Sequence, residues 1–105
     1  MDRKINISHL PEGQGIDRSI LTNIIEKFYD KLSKRLPGEM LLDVHFKEFR
    51  KHGSKELVET KVKVNVEGIN LYATGEEWNA EMSLKEALAA TEKEAGRLID
   101  KKKSL

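Results

Sequence analysis

The spacing of apolar residues changes several times along the chain, and each change predicts a different element. Residues 3–9 alternate weakly, with Ile5 and Ile7 on one side, which indicates a short strand. Residues 18–36 carry apolar side chains at intervals of three and four, the pattern of an amphipathic helix, and Asp17 precedes them as an N-cap. The helical stripe consists of Ile20, Leu21, Ile24, Ile25, Phe28, Leu32 and Leu36.

Three further segments alternate with a period of two and predict strands at residues 40–50, 57–66 and 69–75. The middle segment has the clearest pattern, because β-branched side chains alternate there with charged and polar ones. Its inward side consists of Val58, Thr60, Val62, Val64 and Val66. One apolar and one polar side per strand is typical of an antiparallel sheet that is covered on one face only.

The last third of the chain predicts a second helix. Ser83-Leu84-Lys85-Glu86 has the spacing of a capping box, and the helix is expected to run to about residue 102, with residues 101–105 as a frayed tail. The order is therefore β-α-β-β-β-α, an α+β fold like that of double-stranded-RNA-binding domains. Both helices are expected to pack side by side on the apolar face of a four-stranded sheet, because only that face can bury their stripes. The polar face stays open.

Composition excludes several classes of protein. The 105 residues make one domain, residues 1–105, with 38% hydrophobic and 35% charged side chains. The absence of cysteine excludes disulfides, thiolate metal sites and cysteine nucleophiles, and it fits a cytoplasmic location. No apolar run approaches the ~18 residues that a membrane helix needs, so no membrane partner is expected. With 19 basic and 18 acidic residues the formal charge is only +1, so nucleic-acid binding needs a local basic patch.

Catalytic constellations are not visible in the sequence. His9, His45 and His52 are too far apart along the chain to form a local metal motif. No phosphate-binding glycine loop, nucleophile elbow or paired-histidine helix motif is present. We therefore expect no enzyme activity, no cofactor, no metal and no small-molecule substrate.

Basic residues fall on both predicted helices and on the open face of the sheet. They have two interpretations: contacts to RNA phosphates, or solvated surfaces whose charges pair along a helix and complement its dipole. Because the helices are predicted to lie side by side, their basic residues would border one groove of positive potential. The candidates are Lys27, Lys31, Lys34 and Arg35 on the first helix, Lys61 and Lys63 on the sheet, and Lys93, Arg97, Lys101, Lys102 and Lys103 on the second helix.

Two aromatic residues admit a structural and a functional interpretation. Trp78, the single tryptophan, lies between the last strand and the second helix, where we expect it to plug the end of the core. The alternative is an exposed platform on which a base or a partner stacks. Tyr72 alternates onto the open face of the sheet, and the same two interpretations apply to it.

The pattern of the chain resembles the ribosome hibernation factors, the family of ribosome-associated translation inhibitors. The likeness covers residues 40–103. It rests on the strands at 59–66 and 71–75, the step Glu77-Trp78, and the helix from Ser83 to its lysine-rich end. Residues 80–82 are expected to form extra loop before that helix. Double-stranded-RNA-binding domains share the element order but cluster lysines at the start of the second helix, where this chain has Lys85 alone.

The resemblance implies a non-enzymatic factor that binds structured rRNA on the small ribosomal subunit and holds the ribosome idle. The candidate lysines and arginines would then contact phosphates, and Tyr72 would stack on a base. The competing hypothesis is a protein-interaction or dimerisation module without an RNA role. In that case the edge or the polar face of the sheet would bind a protein, with a second copy of the chain as one such partner.

Overall fold

A computed structural model gives the structure of the chain in four stretches, residues 3–11, 16–36, 38–51 and 55–103. The side chains of residues 50–51, 55–56 and 100–103 lie outside the described residues, as do residues 104–105 at the end of the predicted tail.

Six elements follow one another in the predicted order, so the β-α-β-β-β-α prediction is confirmed. They are β1 (Ile5–Ser8), α1 (Arg18–Ser33), β2 (Met40–Lys51), β3 (Lys55–Val66), β4 (Ile69–Glu77) and α2 (Ala80–Lys103).

The strands form one mixed sheet in the order β1-β2-β3-β4. β1 runs parallel to β2, and the two hairpins β2–β3 and β3–β4 are antiparallel. The register aligns Leu42, Val64 and Leu71 across three strands, with Ile5 beside Leu42 on β1. These side chains belong to the core or pack against it, and so do the buried residues of both helices. Both helices therefore cover the same face, as predicted.

The buried stripe of α1 is rotated slightly from the predicted one. Leu21, Ile25 and Leu32 are almost fully buried, but Ile20 is 44% exposed. Successive residues lie about 100° apart around a helix, so Ile20 falls beyond the edge of a stripe centred on its neighbours. Tyr29 lies inside the stripe instead, and its hydroxyl donates to the carbonyl of Met40 at 2.9 Å, which joins α1 to β2.

The start of α1 agrees with the prediction. Asp17 caps α1 as predicted, because its carboxylate accepts from the amides of Ser19 and Ile20. The Ser19 hydroxyl also donates to this carboxylate, at 2.6 Å. That hydrogen bond most of all, together with those from the amides, holds the pKa of Asp17 below its usual range.

The predicted capping box at Ser83 is wrong, and so is the extra loop at residues 80–82. α2 begins at Ala80, and Asn79 caps it: its side-chain oxygen accepts from the Met82 amide at 3.1 Å. Asn79 lies one turn before Ser83 and also has a side-chain oxygen that accepts from a backbone amide, so α2 begins after Asn79 rather than at the predicted capping box.

Ser83 is fully buried and makes tertiary hydrogen bonds. Its hydroxyl donates to the Gly75 carbonyl at 3.0 Å and lies 2.8 Å from the Thr60 hydroxyl. Since a hydroxyl has one proton, Ser83 must accept from Thr60. A Cβ at Gly75 would collide with the carbonyl of Ser83 and lie 2.8 Å from the Ala87 amide, so glycine allows α2 to contact β4 closely.

Candidate nucleic-acid interface

The exposed side of the helix layer carries predicted basic residues on both helices. We call these residues together the helix-layer basic surface; it comprises Lys27 and Lys31 of α1, Lys34 and Arg35 directly after it, and Lys93 and Arg97 of α2, all exposed. Lys27, Lys31 and Lys34 follow at intervals of four and three, which aligns them along one side of the helix and its C-cap, opposite the buried stripe.

Contacts across the helix seam join the two halves of this surface. Lys31 Nζ lies 3.0 Å from Glu92 Oε1, and Arg35 Nη1 lies 3.6 Å from the same oxygen. A Cβ at Gly96 would be 3.9 Å from Arg35 Nη2, so the guanidinium lies over α2 at a residue without a side chain. These contacts bring the basic end of α1 against α2 at Glu92, whose carboxylate neutralises part of the charge there. That the basic residues of both helices border one groove stays a prediction.

Not every cation of this surface is equally available to a phosphate. Arg97 donates to Glu94 at 2.9 Å along the helix, while no ion pair of Lys27 or Lys93 occurs among the described side chains. Lys34 lowers the pKa of Asp30, although the hydrogen bond from Arg3 contributes more to that shift. The predicted residues Lys101, Lys102 and Lys103 continue the helix, but their side chains lie outside the described residues.

The open face of the sheet brings the other candidates together in two rows. The register places Asp43, Lys63 and Tyr72 directly opposite one another on β2, β3 and β4. The second row, which follows two residues along each strand, consists of Ser8, His45, Lys61 and Thr74. Together these residues line a shallow depression of about 400 Å³, the sheet-face depression.

Tyr72 has the most exposed of the large apolar side chains in the described part of the chain, at 65%. The ammonium of Lys63 lies 5.7 Å from the centre of its ring, within the range of a cation–π contact. Lys61 lies 3.7 Å from the carboxylate of Glu59, an exposed and weak pair. Of the two interpretations of Tyr72, the buried one is thereby excluded.

Trp78 is 57% exposed, so the expected core plug is wrong. The helix that follows it starts at Ala80, and the end of the core is closed by the buried side chains of Ala80 and Leu84 instead. A tryptophan at the end of a strand looks the same in sequence whether it turns inward or outward, so nothing in the chain distinguished the two.

Two histidines that are distant in sequence meet beside the depression. The rings of His9 and His45 lie edge to face, with their centres 5.0 Å apart. His9 adopts a left-handed backbone conformation, with φ of 57°, directly after β1. No third ligand joins them: within the described stretches, no three His, Cys, Asp or Glu side chains are arranged to hold a metal ion. His52 lies outside the described residues.

An acidic pair that the sequence did not single out joins β4 to α2. The carboxyl groups of Glu77 and Glu86 share a hydrogen bond, which raises the pKa of Glu77 with help from partial desolvation and from the charge of Glu86. Glu86 also accepts from the amide of Glu76 at 3.3 Å. The pair lies at the end of β4, beyond the depression, and it repels rather than attracts an RNA backbone.

Known structures share this arrangement of elements. The N-terminal domain of Protein Y from Thermus thermophilus matches with a TM-score of 0.69 and 18% identity, over 93% of this chain and 99% of that chain. The chain has the fold of that domain. A ribosomal subunit interface protein from Coxiella burnetii matches with a TM-score of 0.52 and 20% identity, over 90% of this chain and 94% of that chain.

Each likeness covers at least 90% of this chain and of the matched chain, in agreement with the predicted α+β fold. No protein-family model and no curated protein matches the sequence. In the described part of the chain, neither helix is long and apolar enough to cross a membrane.

Proposed function

We propose that this chain is a non-enzymatic, ribosome-associated factor that binds structured rRNA of the small subunit through its helix-layer basic surface. The observation that carries the proposal is the seam between α1 and α2, where Lys31 and Arg35 reach Glu92 and so bring the basic end of α1 next to α2, which bears the exposed Lys93 and Arg97. Exposed cations on neighbouring helices can contact the phosphates of folded RNA without requiring a base sequence.

Two further observations support the ribosome as the source of that RNA. The sequence resembles the ribosome hibernation factors, and its fold is shared with a protein described as a ribosomal subunit interface protein. By that resemblance, the bound factor would occupy the path of mRNA and tRNA and inhibit translation.

Cosedimentation with purified small ribosomal subunits tests the proposal. Lys27→Ala combined with Lys34→Ala removes two exposed cations without breaking the Lys31–Glu92 contact, and it should weaken binding clearly. Lys47→Ala combined with Lys85→Ala is the matched control, because it removes the same charge from positions outside this surface. Wild-type protein that stays in the supernatant at low salt, or equal losses in the two double variants, would refute the proposal.

A dimerisation module is the second candidate function, and one observation favours it. β4 is a nine-residue strand at the edge of the sheet, with β3 as its neighbour among the described strands. An uncovered edge pairs readily with the same edge of another copy. Sedimentation equilibrium at micromolar concentration distinguishes the two: a monomer in solution removes the support for this candidate.

A further inference from the structure

The sheet-face depression lies on the opposite side of the sheet from the helix-layer basic surface, so one flat contact with RNA does not use both. From its chemistry we infer that it binds an unpaired nucleotide of a single-stranded RNA segment, with the base on the ring of Tyr72 and the backbone phosphate between Lys61 and Lys63. The inference rests on the proposed function, since it assumes that RNA is the partner.

The position of Tyr72 supports a stacking role. Its ring stands on the open face of the sheet and is 65% exposed, and the side chain opposite it in the row is that of Lys63, with Asp43 beyond. Bases of single-stranded nucleic acid stack on such rings whatever their sequence. The Lys63 ammonium is already held 5.7 Å from the ring centre, so a phosphate bound there keeps its own base within reach of the ring.

The second row adds a cation and hydrogen-bonding groups. Lys61 lies one row from Lys63 on the same strand, and Thr74 lies directly opposite Lys61 on β4. Two ammonium groups on one face of a strand, two residues apart, match the spacing of a phosphate held from two sides. The hydroxyl of Thr74 lines the same depression beside Lys61 and can bond to a ribose 2′-hydroxyl, which distinguishes RNA from DNA.

Asp43 gives this depression a preference among bases. Asp43 lies in the row of Tyr72 but on the far side of Lys63, so a base that stacks on Tyr72 and extends along the row would present its edge to this carboxylate. The Watson–Crick edge of guanine presents two adjacent donors, N1–H and the exocyclic amine, which a carboxylate accepts together. We therefore expect a guanine to be preferred over a uracil on Tyr72.

Fluorescence anisotropy with labelled hexamers tests the site in the full chain. The probes are UUGGUU and UUUUUU, and the wild-type protein should prefer the first. Tyr72→Ala should weaken binding of UUGGUU by about 5- to 150-fold, the range found for the loss of one stacked base. Tyr72→Phe keeps the ring and should bind like the wild type. Asp43→Asn should abolish the preference between the two probes.

Three controls keep the outcome unambiguous. Met82→Ala removes a similarly exposed apolar side chain on α2 and should leave hexamer binding unchanged, whereas Lys61→Ala with Lys63→Ala should weaken it. Circular dichroism verifies that each variant is folded. Unchanged binding by Tyr72→Ala, or a loss in Met82→Ala as large as that in Tyr72→Ala, overturns the inference.

The two proposals fail separately. If the chain does not cosediment with small subunits but the Tyr72 variants behave as expected, the ribosomal role is wrong and the nucleotide site stands. If the chain cosediments, the Lys27→Ala Lys34→Ala variant binds more weakly than the control, and Tyr72→Ala binds UUGGUU normally, the nucleotide site is wrong and the helix-layer basic surface stands.

Discussion

At the scale of single residues, the packing of α2 on the sheet depends on how a few buried polar atoms are satisfied. Thr60, Ser83 and Thr91 are fully buried, and each hydroxyl has a partner, Thr91 through the carbonyl of Ala87 at 2.8 Å. Among the described side chains, no buried nitrogen or oxygen lacks a hydrogen bond. Removing one hydroxyl of the Thr60–Ser83 pair should therefore lower the free energy of unfolding more than removing both, because the remaining hydroxyl is left buried without its partner.

Ser83→Ala should destabilise the protein by ~1–3 kcal/mol, because the Thr60 hydroxyl is then left buried without its acceptor. The double variant Thr60→Val with Ser83→Ala should lose less than the sum of the two single variants, since no orphaned hydroxyl remains. Urea unfolding of the wild type and the three variants measures the coupling. Strictly additive losses would show that the two hydroxyls do not depend on one another.

Phe28 tests whether the stripe of α1 holds the core together. Its side chain is only 8% exposed, so Phe28→Ala should cost ~3–5 kcal/mol in the free energy of unfolding. Ile20→Ala is the matched control on the same helix. Because Ile20 is 44% exposed, this truncation should lower the free energy of unfolding by well under ~1.5 kcal/mol, which is about half of what a fully buried apolar side chain contributes. A loss below ~1 kcal/mol for Phe28→Ala would place that ring outside the core.

At the scale of elements, exposed charges connect neighbours that the core already holds. Arg3 donates to both carboxylate oxygens of Asp30 at 2.9 Å and to Glu26 at 3.2 Å, which ties the chain before β1 to α1. This arrangement lowers the pKa of Asp30, so its contribution to stability is lost as the pH falls through that lowered value. For the Glu77–Glu86 pair between β4 and α2, stability changes with pH in the opposite direction.

The raised pKa of Glu77 makes the contact between β4 and α2 sensitive to pH. The folded state binds the proton more tightly than the unfolded state, so the stabilising contribution is present at low pH and is lost as the pH rises through the raised value. Glu77→Gln keeps the hydrogen bond without titrating. Its unfolding midpoint should therefore rise relative to that of the wild type between pH 4 and pH 8.

Thermal unfolding of both proteins across that range measures the difference. The aspartates with lowered pKa values are the same in both proteins, so their effects cancel. A difference in midpoint that stays constant with pH would show that Glu77 and Glu86 do not share a proton in the folded state.

At the scale of the whole molecule, the net charge is near zero, but the charged side chains are unevenly distributed. The formal charge is +1, yet the outer side of the helix layer collects six exposed lysines and arginines around Glu92 and Glu94. Other acidic groups are paired, with Glu26 and Asp30 of α1 bound by Arg3, and Glu77 beside Glu86. Binding that depends on such a surface must depend on salt, because each neutralised phosphate releases counterions.

Replacing Lys101, Lys102 and Lys103 with glutamate should abolish cosedimentation with small subunits, while circular dichroism shows an intact fold. These residues end α2, so the change should alter stability little. Lys93→Ala and Arg97→Ala should give milder losses, Arg97 because it also pairs with Glu94. For the wild type, affinity should fall steeply with salt, and Lys27→Ala should reduce the slope of that plot by ~1. Binding that is indifferent to salt and to the triple change would favour the protein-interaction module.

The periodicity of the sequence determined the elements, their order and their inward faces. Alternation at 57–66 and the stripe of α1 predicted β3 and the first helix closely, because a strand repeats every two residues and a helix every 3.6 regardless of what covers them. The side on which the helices pack also followed, since a single apolar face had to bury both stripes. The basic candidates of the helices were visible for the same reason: they lie opposite those stripes.

Only the tertiary structure decided which groups meet. Ser83 resembled a cap but bonds to Thr60 and Gly75 instead, and Trp78 turns outward although its position in the sequence allowed either orientation. The rows that place Asp43 and His45 beside the lysines of β3 depend on strand register, which no local pattern encodes. Periodicity specifies the direction in which a side chain points from its own backbone. Contact between residues distant in sequence depends on how whole elements pack, and the free energy that settles their packing is summed over the entire core.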